Sequence, residues 1–449
     1  MMPDLIHRFV VTDLVPMLTA LFVAITCALL GSFLVLRRQS MMGDAISHSV
    51  LPGLAASFLL LGTRSSTAML VGAAIAGVGT VLLIEIVKRF GKVEPGAAMG
   101  VVFSVLFALG VVLIEVGARD VDLDPDCVLH GVLEGLAWWG APKEWSGYFS
   151  ITTYTSATTG IPRQLPTALV VMVLISGVIV LAFKELRIAS FDPGLASSLE
   201  FRAGAINAVL MILVAIATVA SFEAVGSILV IALLICPAAS ARILTDRLHV
   251  HVILSVLIAA ITSVAGYAFA SWIAPHIGFP NGISTAGTIA VTSGVALGLA
   301  VVFSPTHGLV GQMRAQRAVQ ERVLVENLIG TLYRIAESSA ATSEVPRTSS
   351  ELQSFSDRVY KHASAQHLVT LTQATVSLTD AGRKQAAELV RRHRLWETYL
   401  VEEAGLRPDH VHETAEQLEH ARRRRGTTIE PEIKRETDPH GKPIPSADR

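Results

Sequence analysis

The chain has 449 residues, of which 51% are hydrophobic and 16% are charged, and its formal net charge is −1. A soluble domain usually carries about 25% charged residues, so this composition excludes a protein that is soluble along its whole length. The charges are unevenly distributed, because residues 1–305 contain few of them whereas 306–449 are rich in Arg, Glu, His and Asp. The near-zero net charge is therefore an average over two unlike parts and says little about partners.

Long apolar runs dominate the first part of the chain. A membrane-spanning helix needs about 20 mostly apolar residues, and lipid offers the backbone no hydrogen-bond partners, so each span must be helical. We predict an all-α polytopic membrane protein with about nine transmembrane helices, in a range of eight to ten. The predicted spans are 14–36, 43–61, 67–87, 97–117, 165–183, 203–220, 222–240, 249–273 and 285–304. The turn between 203–220 and 222–240 is so short that this pair could instead form one discontinuous hairpin.

Basic residues beside the apolar runs predict the orientation of the chain. Cytoplasmic loops carry an excess of Lys and Arg, and nine spans alternate without conflict if the four basic pairs are cytoplasmic. The pairs are Arg37 and Arg38, Lys88 and Arg89, Lys184 and Arg187, and Arg242 and Arg247. This arrangement places the N-terminus outside and the C-terminal part inside the cell.

Changes in composition predict four regions along the chain. We expect a transmembrane domain over 1–312, a helix and linker over 313–350, a small cytoplasmic α domain over 351–425 and a disordered tail over 426–449. The tail is rich in Pro and charged residues, a composition that buries too little apolar surface to fold.

Two ionisable residues stand four positions apart near the start of the second span. Asp44 and His48 share one face of a helix at this spacing, and a carboxylate with an imidazole suits zinc, manganese or iron(II). Ionisable residues inside a membrane usually mark a transport path. The alternative is that Asp44 caps the helix and His48 is interfacial.

Three segments carry motifs of one transporter family. The run Leu34–Gly53 resembles the signature L-R-R-x-x-L-x-G-D-A-x-S-H-x-V-L-P-G of the zinc/manganese/iron permease family of ATP-binding cassette (ABC) transporters. Ser190–Ala196 resembles the family's F-D-P-x-x-A motif, and Ala224–Arg242 resembles its V-G-x-x-L-x-x-A-L-L-x-x-P-A-A-x-A segment. The segments occur in the family's order, and the resemblance covers most of residues 12–312.

The resemblance implies an ABC importer permease fold and a metal-import function in the bacterial inner membrane. A second permease subunit, identical or related, ABC ATPase subunits and an extracytoplasmic metal-binding protein would be the partners. Asp44 and His48 would be transient ligands for Mn²⁺, Zn²⁺ or Fe²⁺, with no permanently bound cofactor. Glu223 is a candidate third ligand, although an interfacial carboxylate is the alternative we favour there.

The family also implies a helix that couples the permease to its ATPase. The residues that match this helix are Asp192, Pro193, Gly194, Leu195 and Ala196. An ordinary connecting loop is the alternative interpretation. The chain itself has no G-x-x-x-x-G-K-[ST] phosphate-binding loop, so it is predicted to be a transport subunit, with ATP hydrolysed by a separate chain.

The polar C-terminal part resembles iron- and manganese-dependent transcriptional repressors. Leu378–Arg383 resembles the end of their winged helix, and Arg391–Glu397 and Val411–His420 resemble their metal-binding and dimerisation helices. The resemblance implies as candidate metal ligands His393, Glu397, His412, Glu416, Glu419 and His420.

This second resemblance is incomplete, which leaves the role of the domain open. Asn327 and Gly330 stand where the family usually offers ligands, and the helix-turn-helix is abbreviated. We expect a degraded winged helix with dimerisation helices and no DNA binding. A cytoplasmic metal sensor that regulates transport and a dimerisation module without metal are both compatible with the residues.

Three other functions compete with the metal permease. An ABC permease for a metal chelate, such as a siderophore or corrinoid, would not need an Asp/His pair in its path. A proton-coupled metal carrier would need no ATPase. An intramembrane metalloprotease would need a closed ligand set such as H-E-x-x-H, which is absent from the sequence.

Overall fold

A computed structural model of the protein describes most of the chain in two compact units. The described residues are 4–61, 66–117, 131, 133–142, 160–191, 198, 203–279, 283–305, 308–338, 344–420 and 435–446. The first unit is Met1–Gly311 and the second is Gln312–Arg449. Mostly apolar helices build the first unit, whereas two long helices, two short helices and a small sheet build the described part of the second.

Helices account for most of the described part of the first unit. They are α1 (Asp4–Phe9), α2 (Val15–Leu36), α3 (Met42–Ser49), α4 (Leu51–Leu61), α5 (Ser66–Gly91), α6 (Pro95–Gly117), α7 (Gln164–Leu181), α8 (Phe183–Phe191), α9 (Ala203–Val225), α10 (Ser227–Leu244), α11 (Leu248–Ala268) and α12 (Thr285–Phe303). A π-helical turn, Val10–Leu14, joins α1 to α2, and a second one, Phe269–Ile273, extends α11. Within the described residues, nine helical stretches are long and apolar enough to cross a membrane, which confirms the prediction.

The second span is broken into two helices beside the Asp/His motif. Helix α2 ends at Leu36, and α3 begins at Met42, so Asp44 lies in the first turn of α3. Helix α3 gives way to α4 at Val50, whose carbonyl oxygen accepts from the N–H groups of Gly53 and Leu54. Pro52 has no N–H to donate, which suits the first turn of α4 but interrupts the ladder that α3 would otherwise continue.

The pair of helices that the sequence left open as a hairpin forms two separate spans. Helices α9 and α10 contain 23 and 18 residues, and only Gly226 stands between them. Gly226 has φ of 78°, a backbone conformation that residues with a Cβ rarely adopt. This single residue allows the chain to leave α9 and enter α10 without a longer loop.

Helix α2 lies at the centre of the first unit and packs closely on α10. Cys27, Leu30 and Phe33 of α2 have no exposed surface within the chain. A Cβ placed on Gly31 would lie 1.9 Å from the carbonyl oxygen of Leu234 in α10. Lipid is as apolar as these side chains, so small residues that allow close backbone approach hold such helices together.

The second unit is a winged-helix arrangement followed by two further helices. Its elements are α13 (Leu309–Ser338, whose first three residues belong to the first unit), β1 (Glu344–Pro346), α14 (Asp357–Ala365), β2 (Val369–Leu371), β3 (Thr375–Leu378), α15 (Asp380–Glu402) and α16 (His412–Glu419). The strands are antiparallel in the order β1-β3-β2, and Val345 pairs with Val376. The core beneath the sheet includes Leu328, Ile329 and Ala386, which have no exposed surface.

Helix α15 begins where a turn leaves the sheet. Thr379 is its N-cap, and the Thr379 hydroxyl accepts a hydrogen bond from the Gly382 N–H at 3.0 Å. This cap satisfies one of the N–H groups that have no partner inside the helix. Part of the tail expected to be disordered also carries structure, since Thr437 and Pro443 form an antiparallel bridge.

We predict that Gly31→Ala destabilises the first unit. The added methyl group would meet the Leu234 carbonyl, and overpacking of this kind costs about 1–3 kcal/mol. The measurement is the thermal midpoint of aggregation of the detergent-purified chain. Gly294→Ala is the matched control, because a Cβ at Gly294 meets no atom within 4 Å. Equal midpoints for the two variants would contradict the close α2–α10 contact.

Candidate functional site

Asp44 and His48 lie one turn apart on α3. Their closest atoms, Asp44 Oδ1 and His48 Nε2, are 3.4 Å apart. The side chains are 37% and 38% exposed within the chain, so both are accessible. A carboxylate oxygen and an imidazole nitrogen at this separation can bind the same cation with a small adjustment of their rotamers.

Neighbouring helices hold the imidazole and the helix that carries it. The His48 ring packs against Phe103 and Phe107 of α6, with ring centroids 5.9 and 5.8 Å away. On the other side of the motif, the Thr80 hydroxyl of α5 donates to the Ser49 hydroxyl at 2.7 Å. The aromatic walls restrict the ring without supplying ligand atoms.

Glu223 is engaged elsewhere. Its carboxylate is paired with the Arg163 guanidinium and accepts a hydrogen bond from the Gln164 amide at 3.1 Å. Both partners stand at the start of α7, about 60 residues earlier in the chain. Among the described residues, Glu223 does not form a compact three-ligand group with Asp44 and His48.

The residues that match the coupling helix, Asp192 to Ala196, lie outside the described residues. The helix ends beside them are nevertheless joined by Arg37 of the motif. Arg37 Nε donates to the Ser190 hydroxyl of α8 at 3.0 Å, and its Nη1 donates to the Asn207 side-chain oxygen of α9 at 2.8 Å. Arg37 therefore ties the end of α2 to the helices that flank the segment.

The second unit contains a tight group of metal-ligating side chains. Glu397 Oε1 lies 3.2 Å from His393 Nε2 and 2.9 Å from His412 Nδ1, and the two imidazole nitrogens are 3.0 Å apart. Across the described part of the chain, this is the one group of three whose ligand atoms all lie within 4.8 Å of one another. Two histidines and one carboxylate match the protein ligands of many zinc sites.

Burial and a further carboxylate set the electrostatics of this group. Burial lowers the pKa of His393, but the carboxylates of Glu397 and Glu419 outweigh it and raise the pKa to about 9. Burial raises the pKa of Glu397, whereas His393 and His412 outweigh that effect and lower it to about 2. His393 is thus protonated at neutral pH and lies between the carboxylates of Glu397 and Glu419. A divalent cation can displace this proton when it binds to the group.

Glu419 orients His393 rather than joining the group. Glu419 Oε2 lies 2.6 Å from His393 Nδ1, the ring nitrogen that faces away from Glu397. A carboxylate on the far nitrogen is the usual support of a metal-binding histidine, because it fixes the ring and its protonation.

His420 and Glu416 lie apart from the group. His420 is buried against α13, where its Nδ1 lies 2.6 Å from Glu326 Oε2 and its Nε2 lies 2.7 Å from Asn327 Oδ1. Glu416 is exposed. The resemblance to the repressors pointed to Asn327 and not to its neighbour Glu326, which is 2% exposed and is a further member of this contact. The sequence did contain a signal for Glu326, because its carboxylate directly precedes Asn327, a position where the repressors usually have a ligand.

Two protein-family models match this chain, one within each of the two units. The model of the ABC 3 transport family matches residues 14–134 and 159–304. The model of the iron dependent repressor, metal binding and dimerisation domain, matches residues 379–446.

The curated relatives are transport proteins. The manganese transport system membrane protein MntD of Bacillus subtilis is 38% identical over 292 residues, which cover 65% of this chain and 92% of that protein. The zinc transport system membrane protein TroD of Treponema pallidum is 39% identical over 303 residues, 68% of this chain and 77% of that protein. Among solved structures, PsaBC from Streptococcus pneumoniae in complex with Fab is 27% identical with a TM-score of 0.51, covering 65% of this chain and 92% of that one.

We predict that Glu397→Gln weakens zinc binding to the second unit by about tenfold or more, because it removes the charge shared by both histidines. Equilibrium dialysis with Zn²⁺ on the full chain, in an Asp44→Ala/His48→Ala background, measures this affinity. Glu416→Gln is the control, since that carboxylate is exposed and outside the group. Equal losses in both variants would show that the group has no special affinity.

Proposed function

The chain belongs to the ABC 3 transport family, and we propose that it is the membrane-spanning permease subunit of an ABC importer for manganese or zinc. The two curated relatives above are named for these metals. The Asp/His motif allows manganese, zinc or iron. Neither relative is named for iron, so we propose only manganese or zinc. The multi-pass arrangement of apolar helices agrees with a permease.

The observation that carries the proposal is the Asp44–His48 pair. Ionisable side chains in a membrane span are costly and persist where they serve a path. Two ligands from one chain leave the remaining coordination positions to water or to a second permease subunit, so the ion is held weakly enough to leave. This incomplete ligand set favours a free metal ion over a chelate, which already surrounds its metal with ligands.

Other subunits would supply the remaining steps. We propose that ATPase subunits bind at the segment 192–196 and hydrolyse ATP, since this chain has no phosphate-binding loop for the purpose. An extracytoplasmic metal-binding protein would deliver the ion, and a second permease subunit would complete the path through the inner membrane. The family membership supports these partners, and it argues against a proton-coupled carrier.

The second unit would be a cytoplasmic metal sensor. Three ligand atoms converge within it, and a buried carboxylate, Glu419, orients one of them. A simple dimerisation module would not need this convergence. Filling of the group would report that the cytoplasm holds enough metal, and the permease would then slow its own transport.

We expect Asp44→Ala/His48→Ala to reduce metal accumulation by about tenfold or more, since both path ligands are removed. Accumulation of radioactive Mn²⁺ or Zn²⁺ is measured in cells that lack their own uptake system for the metal. The comparison is made at equal abundance of the permease in the membrane. His276→Ala is the control, because His276 is exposed and contacts the Trp272 carbonyl of its own helical segment.

Accumulation by the double variant at the wild-type rate would overturn the assignment of the path. Uptake that requires a chelator and is not competed by free metal would instead support the chelate permease.

A further inference from the structure

Two phenylalanines of α6 stand against the imidazole of the Asp44–His48 pair. Phe103 and Phe107 are four residues apart, so they lie on one face of α6. Their ring centroids are 5.9 and 5.8 Å from that of His48, and favourable ring pairs have centroids about 4.5–7 Å apart. The interplanar angles are 35° and 87°, so one ring is tilted and the other is edge-on to the imidazole. Both contacts oppose rotation of the imidazole.

The contacts hold the imidazole in an orientation that faces Asp44. The second side-chain torsion of a histidine has broad energy minima, so an unhindered ring turns readily. With the two phenyl rings in place, His48 Nε2 lies 3.4 Å from Asp44 Oδ1. Ligand atoms about 2.0–2.1 Å from a tetrahedral zinc are roughly 3.4 Å apart. The pair therefore already has the spacing that a tetrahedral Zn²⁺ requires.

The other groups around His48 are poor sources of further ligands. The hydroxyls of Ser47 and Ser49, its two neighbours in sequence, donate to backbone carbonyls of α3 at 2.8 and 3.1 Å. These bonds direct the hydroxyls along the helix backbone. The phenyl rings of Phe103 and Phe107 have no ligand atom, and they exclude water from the part of the imidazole that they cover. The pair itself thus offers one carboxylate and one imidazole.

This donor set discriminates between the two metals of the proposed function. At a given site with nitrogen and oxygen ligands, Zn²⁺ binds more tightly than Mn²⁺, and imidazole is a common ligand of zinc. Mn²⁺ is favoured instead by octahedral sites rich in carboxylate, carbonyl and water oxygens. Phenyl rings limit the water available to such a site, because an apolar shell controls solvent access to a metal. The surroundings of His48 therefore favour zinc.

We propose that Phe103 and Phe107 determine the specificity of the path for Zn²⁺ over Mn²⁺, by holding the His48 imidazole and by limiting the water beside it. This inference rests on the proposed function, because it concerns the ion that the Asp44–His48 pair passes. The two phenylalanines are positioning residues that act through His48. Loss of either ring would let the imidazole turn and would admit water, which Mn²⁺ requires more than Zn²⁺ does.

The test removes each ring separately in the full chain. Phe103 is partly buried and is replaced as Phe103→Leu, whereas Phe107 is 44% exposed and is replaced as Phe107→Ala. Phe107→Trp is the conservative variant, because it keeps an aromatic ring and adds no oxygen. Phe303→Leu is the control, since Phe303 ends α12 and is 67% exposed.

Uptake of radioactive Zn²⁺ and of radioactive Mn²⁺ is measured over a range of concentrations. The cells lack their own uptake systems for both metals, and the variants are compared at equal abundance in the membrane. The readout is the ratio of the concentrations at which uptake of the two metals is half-saturated. A purely structural loss lowers both uptake rates and leaves this ratio unchanged.

We expect uptake by the wild-type chain to half-saturate at a lower concentration of Zn²⁺ than of Mn²⁺. In Phe103→Leu and Phe107→Ala the ratio should move toward Mn²⁺ by about tenfold. Phe107→Trp and Phe303→Leu should keep the wild-type ratio.

Three results would overturn the proposal. The first is half-saturation of the wild-type chain at a lower concentration of Mn²⁺ than of Zn²⁺. The second is an unchanged ratio in Phe103→Leu and Phe107→Ala, and the third is an equal shift in Phe303→Leu. Failure of the proposed function is distinguishable from all three, because Asp44→Ala/His48→Ala would then accumulate both metals at the wild-type rate.

Discussion

An ionisable side chain that is removed from water needs a partner of opposite charge or a bound cation. This constraint governs both units. In the membrane unit Asp44 faces His48, and Glu223 faces Arg163. The two pairs differ in what they leave available. The Glu223 carboxylate is already paired with a guanidinium cation, whereas the Asp44 carboxylate and the His48 imidazole are both types of ligand that a metal cation can bind.

The second unit likewise contains one histidine whose nitrogens are both engaged by its neighbours and one that faces other candidate ligands. His420 is held from both sides by residues of α13, which leaves its nitrogens engaged with protein oxygens. His393 has one nitrogen fixed by Glu419 and the other directed at Glu397 and His412. Among the described residues, only the second arrangement offers three convergent ligand atoms. Of the six candidate ligands, three therefore form the compact group, Glu419 contacts it through His393, and Glu416 and His420 lie apart from it.

Transport and sensing would use related chemistry at different strengths. A transport path needs a ligand set that releases its ion, and in our proposal the two accessible side chains of the broken span would meet that need. A sensor needs a ligand set that retains its ion over a useful concentration range, and three converging groups with an oriented histidine favour retention. Having both on one chain would let the proposed sensor act on the permease that imports the same metal.

The sequence by itself determined the spans and the local constellations. Lipid imposes length and apolarity on each span, and helical periodicity places Asp44 beside His48 and His393 beside Glu397. Only the tertiary structure decided which carboxylates are already paired. Arg163 reaches Glu223 across 60 residues, and Glu326 reaches His420 across 94. The hydrogen bonds from Arg391 and Arg394 of α15 to the carbonyls of Pro445 and Pro443 are equally non-local, because they join segments 54 and 49 residues apart, a separation that leaves no periodic signal in the chain.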